Sequence, residues 1–86
     1  MAMQSWREML DLEMSEHGES WADIEQCTLS DQELDERFDS GYGSIEGRPF
    51  TVWTQSSVYF PTEYDGAENV GRVARHPDGR PTRHIR

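Results

Sequence analysis

Phe50-Thr51-Val52-Trp53-Thr54-Gln55-Ser56-Ser57-Val58-Tyr59-Phe60-Pro61 is the stretch where the chain changes character. Its two runs, 50–54 and 57–60, are β-branched and aromatic, which suits a pleated, half-buried surface. Gln55-Ser56 between them is short enough for a hairpin, although it lacks the glycine that tight two-residue turns favour. Pro61 reads as the end of the second strand. Tyr64-Asp65-Gly66 is a turn signal, and Val70-Gly71-Arg72-Val73 adds a third strand along residues 68–75. From His76 onward, Pro77, Gly79, Pro81 and alternating Arg and His read as an extended tail.

Before Pro49 the signals are helical. Ser5-Trp6-Arg7-Glu8 is a capping box, and Trp6, Met9, Leu10 and Met14 recur at helical spacing. Glu8, Asp11 and Glu16 fall elsewhere on the wheel, and His17-Gly18 supplies a stop, so a helix is expected over 6–17. Trp21, Ile24 and Cys27 sit three apart, as in a short helix or a packed turn. Ser30-Asp31-Gln32-Glu33 is a second capping box, with Leu29 and Leu34 placed as a hydrophobic staple. The Leu34/Phe38 pair carries this helix to about Asp39, where Gly41 and Gly43 end it. The expected fold is therefore α+β: two or three short helices on a two- to three-stranded antiparallel sheet. Residues 1–75 form one acidic domain and 76–86 a basic tail. Trp6, Trp21, Phe38, Phe50 and Phe60 lie on apolar stripes. Trp53 and Tyr59 fall on the opposite face of their strands, and Tyr42 and Tyr64 lie in turns.

The charge is polarised. Seventeen acids stand against eight basic residues, all arginine, for a net −9. Up to Gly47 there are thirteen acids against Arg7 and Arg37; from Arg48 there are four against six arginines. Such a field repels nucleic acid, attracts basic protein surfaces and speeds those encounters. Acidic solubility is the plainer reading, but it does not account for acids concentrated on one half of the chain. Residues 71–86 carry a net +4, too short and mixed to make a nucleic-acid-binding protein. That tail can touch phosphate or fold back on the acidic face.

Chemistry is excluded by what the spacing lacks. A chain this short hides only about 60% of its unfolded surface, which leaves little room for a shielded active site. Cys27 has no partner for an intramolecular disulfide and no basic neighbour in sequence; it reads as a packed thiol in a reducing compartment. The N-terminus has no basic region followed by an apolar run, and nothing approaches the roughly 20 apolar residues of a membrane span. A cytoplasmic location in a bacterial host is expected. His17, His76 and His84 form no zinc spacing. Asp31-Gln32-Glu33-Leu34-Asp35 resembles the start of a calcium loop, but Glu36 stands where that loop needs glycine. Nucleotide and nucleophile-elbow motifs are absent, and carboxylates are too abundant to single out an acid/base pair. No enzyme, cofactor or metal is expected. Ile45-Glu46-Gly47-Arg48 matches a familiar protease site, read here as coincidence.

The stretch Gly18-Glu-Ser-Trp-Ala-Asp-Ile-Glu-Gln-Cys-Thr-Leu-Ser-Asp-Gln-Glu-Leu-Asp, with Pro49-Phe-Thr-Val-Trp-Thr and Val58-Tyr-Phe-Pro-Thr-Glu-Tyr-Asp-Gly, resembles small uncharacterised proteins of bacteriophages and prophages. In size, acidity and lack of catalytic motifs the chain is also similar to phage-encoded anti-CRISPR proteins. That similarity implies a small inhibitor that binds a CRISPR effector. The matching expectation is a protein that docks on a basic, nucleic-acid-handling surface of a host defence complex, with nucleic-acid mimicry as one route. Asp31, Glu33, Asp35, Glu36 and Asp39 would carry complementarity, with Glu8, Asp11 and Glu16 as a second set. Trp53, Tyr59 and Tyr64 would be the desolvated anchors. The alternative is an adaptor that binds a host enzyme or phage structural component without competing with nucleic acid.

Overall fold

The computed structural model describes residues 3–41 and 43–84. In chain order these form β1 (Met3–Ser5), α1 (Trp6–Glu16), a 3-10 turn (Trp21–Asp23), β2 (Ile24–Cys27), α2 (Asp31–Asp35), β3 (Arg37–Asp39), β4 (Val52–Thr54), β5 (Ser57–Tyr64) and β6 (Ala67–Ala74). The fold is α+β, with both helices on antiparallel sheets of two strands (β1-β3) and four (β2-β4-β5-β6). The sequence predicts at most three strands; the short β1, β2 and β3 carry too little β-pattern to stand out.

Both capping boxes form. Ser5 Oγ accepts the Glu8 N–H at 3.2 Å while Glu8 Oε1 accepts the Ser5 N–H at 3.0 Å. Gly18, at φ 71, turns the chain after α1, so that the Met14 carbonyl accepts from both His17 and Glu19. Trp6, Met9, Leu10 and Met14 are buried, each worth about 1.5–3 kcal/mol. Trp6 packs against Phe38 and Phe50 at ring-centroid distances of 5.0 and 4.7 Å.

The second helix stops at Asp35, short of the expected Asp39. Glu36 turns extended (φ −61, ψ 132), and Arg37–Asp39 pairs with Met3–Ser5. A single helical turn is marginal in itself. The strand pairing also satisfies backbone groups of two segments, and Arg37 ties it further by donating to the Met3 carbonyl at 2.7 Å. Phe38 still reaches the core, but from a strand.

Residues 24–27 are likewise a strand. Ile24 pairs with Thr54 and Cys27 with Val52, with a register shift between Ile24 and Gln26. Partners two apart on β4 thus face residues three apart on β2. The bulge absorbs the extra residue, and so produces a three-residue apolar spacing without a helix.

β5 continues through Pro61 to Tyr64. β4 pairs only with Val58 and Tyr59, so Pro61 lies beyond the last partner on that side and its missing N–H breaks no ladder bond. At the β4–β5 turn Thr54 Oγ1 accepts the N–H groups of Ser56 (3.3 Å) and Ser57 (2.9 Å), taking the place of a turn glycine. The β5–β6 turn has Asp65 at φ 55 and Gly66 at φ 84, the pattern of a twisted two-residue hairpin.

Cross-strand pairing fixes the faces of the larger sheet. Val52, Thr54, Ser57, Tyr59, Val70 and Arg72 point inward, toward the helices. Outward point Gln26 of β2, Trp53 of β4, the even-numbered positions 58–64 of β5 and the odd-numbered positions 67–73 of β6. This reverses one expectation: Tyr59 is fully buried in the core, while Phe60 is half-buried on the outer face. Phe50 is in the core as expected, and Trp21 packs against it half-buried. Residues 76–84 are exposed and outside any helix or strand, while the expectation for Tyr42 lies outside the described residues.

Candidate functional site

Arg7 on α1 organises the acidic helical layer. Its guanidinium pairs with Asp35 and, at 3.2 Å, with Asp31, so it laces α2 against α1. It also sits 5.1 Å from the Trp21 ring centroid. Arg48 plays the same part from the loop before β4, pairing with Glu36 at 2.6 Å and Glu33 at 3.4 Å. The hydrogen bond from Arg48 holds the Glu36 carboxyl below its ordinary range. Glu33 is also lowered, first by the Ser30 N–H it accepts at the helix cap, and further by Arg48. Four carboxylates thus share two guanidinium groups, and the cluster stays negative while its side chains are held in place.

The other expected acids are placed as follows. Glu8 completes its capping box and pairs with Arg37 at 3.0 Å. Asp11 accepts the Trp21 indole N–H at 3.1 Å. Asp39, now on β3, accepts the Gly41 N–H at 3.1 Å. Glu16 is exposed at the end of α1. Near it Leu12, 65% exposed, stands on the solvent side of the helix. Leu12 lies off the apolar stripe of α1, and that wheel position is the only sequence signal it carries.

The aromatic anchors do not join this layer. Trp53 is on the outer face of the sheet, with the whole sheet between it and the helices. Tyr64 is exposed at the distal hairpin. Tyr59 is inside, donating its hydroxyl to Glu19 at 2.5 Å. Its complete burial is incompatible with a docking role in this conformation.

Two carboxylates with no local sequence signal organise the interior. Glu19 accepts from Thr54 at 2.6 Å as well as from Tyr59, and Arg72 donates to Ser57 beside them at 2.8 Å. Burial works against the Glu19 charge, but hydrogen bonds from Thr54, Tyr59 and Ser57, with the charge of Arg72, hold its carboxyl below the ordinary value. Burial and the neighbouring Glu19 push the Tyr59 hydroxyl well up. Glu68, buried on β6, accepts the N–H of Glu46 at 2.9 Å and that of Gly47 at 3.0 and 3.1 Å, which clamps residues 46 and 47 to the core. No buried side-chain polar atom among the described residues lacks a partner. These groups are spent on internal contacts, which makes them scaffold. Among the described residues no group of three His, Cys, Asp or Glu is placed to hold a metal ion, and no helix is long and apolar enough to cross a membrane.

The chain matches no protein-family model, no curated protein and no solved structure.

Proposed function

We propose that this protein is an inhibitory binding protein of the phage type. In this reading the acidic layer of α1 and α2 docks on a basic, nucleic-acid-handling surface of a host defence complex, with a CRISPR effector as the specific candidate. The observation that carries the reading is the arginine-laced arrangement of Asp31, Glu33, Asp35 and Glu36. Carboxylates on loose side chains lose conformational entropy when they dock. Here Arg7 and Arg48 have already ordered them, and a fixed array of negative charge is what a groove built for phosphates would accept. Residues 1–75 hold sixteen carboxylates against five arginines, so the layer sits in a strongly negative field that steers encounter with basic surfaces. Leu12, exposed on α1, offers an apolar contact, the part expected from the sequence of Trp53, Tyr59 and Tyr64.

The test is a capture experiment from bacterial lysate, with and without nuclease, using the wild type and a Glu16→Lys/Asp31→Lys variant. Recovery of a guide-loaded defence complex by the wild type, lost with the variant, supports the reading. Nuclease-insensitive recovery of a metabolic or virion protein would favour an adaptor instead.

A further inference from the structure

The outer face of the four-stranded sheet has an unexpected composition for this chain. Asp, Glu and Arg make up 29% of the sequence, yet none of the ten register-paired outward positions on β2, β4, β5 and β6 carries a charge, and the bulged Glu25 at the β2 end is paired with Arg75. Trp53, Val58 and Val73 form a continuous cross-strand row, and Phe60 lies opposite Gly71 in the next one. An aromatic ring beside a strand glycine shields the backbone that the glycine leaves bare. These side chains are half-buried by one another and are not part of the core cluster on the helical side.

We propose that this face is a homodimer interface, on which a second copy of the chain packs sheet to sheet. The argument for this occupant is electrostatic. A face with no unpaired charge offers nothing specific to a basic partner, whereas for a copy that also carries −9 it is the direction of least repulsion. Packed sheets lie about 10 Å apart. Each helical layer stands roughly another 10 Å behind its sheet, so the two acidic layers are separated by about 30 Å. The screening length at physiological salt is about 8 Å, so their repulsion is largely removed. Pairing along the β6 edge is also disfavoured. On the outer edge of β6 the Glu68 N–H is taken by the Ser40 carbonyl and the Val70 N–H by the Asn69 side chain, which blunts that edge. The pair would be two-fold symmetric, placing Trp53 and Val58 of both copies near the axis. It would carry its two acidic layers on opposite outer sides.

Sedimentation equilibrium tests this on the intact chain. The wild type at about 100 μM should give twice the 10.0 kDa chain mass. Raising salt from about 10 mM, where the screening length is about 30 Å, to physiological strength should tighten the dimer, because the like charges become screened. Val58→Glu should weaken self-association at least about tenfold with an unchanged circular dichroism spectrum, as expected for a central interface position. Trp53→Thr, which keeps a β-forming residue, should act the same way, while Glu16→Lys on the helical side should leave the dimer intact. A wild type that stays monomeric at this concentration overturns the proposal, as does a dimer unaffected by both sheet-face variants or one that salt dissociates. The proposal does not rest on docking by the acidic layer: that complex would weaken with salt, so either idea can fail without the other.

Discussion

Glu19 and Tyr59 meet at 2.5 Å across forty residues of sequence, carboxylate to phenol, on the inner side of the sheet. The contact joins the turn after α1 to the central strand β5. It also explains why Tyr59, rather than Phe60, takes the buried position, since a buried phenol needs a partner for its hydroxyl. Tyr59→Phe keeps the ring and removes that bond. It should lower the unfolding free energy by about 1–3 kcal/mol with an unchanged urea m-value.

The same pair sets how stability responds to pH. The folded Glu19 carboxyl is held below its ordinary value, so its contribution is present above the unfolded carboxylate range and is lost as pH falls through the lower folded value. Tyr59 is raised, so its contribution is complete below the ordinary tyrosine range and is lost as pH climbs through the folded value. Urea midpoints between about pH 2.5 and 5 should fall less steeply in Glu19→Gln than in the wild type. An equal slope in the two would remove Glu19 as the responsible group.

Gly47 has no room for a side chain. A Cβ there would stand 2.6 Å from Trp6 Cζ2 and 2.8 Å from both Phe38 Cζ and Glu68 Oε1. Gly47→Ala must therefore push on two core rings and on the carboxylate that clamps its own backbone. A destabilisation of about 1–3 kcal/mol is expected in chemical denaturation. Loss of the loop clamp should appear as faster amide exchange at residues 46 and 47.

The acidic layer makes the opposite combination testable. Asp31 is 93% exposed and its pair with Arg7 is a surface contact. Asp31→Asn combined with Glu16→Gln should leave the urea midpoint unchanged. If the layer steers docking, the same variant should associate more slowly with its partner at low salt while dissociating at nearly the wild-type rate.

How much of this was legible in the sequence follows from the range of the contacts. α1, both capping boxes and the turn at Asp65-Gly66 are set by residues within a few positions of each other, and each was readable, whereas the continuation of β5 through Pro61 depends on its pairing with β6. The shortened α2 was not, because what ends it is pairing between Arg37–Asp39 and Met3–Ser5, more than thirty residues away. The three-residue spacing of Ile24 and Cys27 fitted a helix as well as it fitted a bulged strand, and only the register against β4 separates the two. The acids of the candidate site were legible as a set. Their arginine partners were not, since Arg7 and Arg48 reach them from other elements. The inward turn of Tyr59 depends on Glu19, which no local pattern joins to it.

The decisive measurement for inhibition is target-DNA binding by a guide-loaded CRISPR effector from a susceptible bacterium, with and without this protein. Excess protein should suppress DNA binding, the suppression should weaken as salt rises, and Glu16→Lys/Asp31→Lys should lose it while staying folded. DNA binding that is unchanged in excess wild-type protein, or suppression that the charge-reversed variant retains in full, would contradict the proposed inhibition.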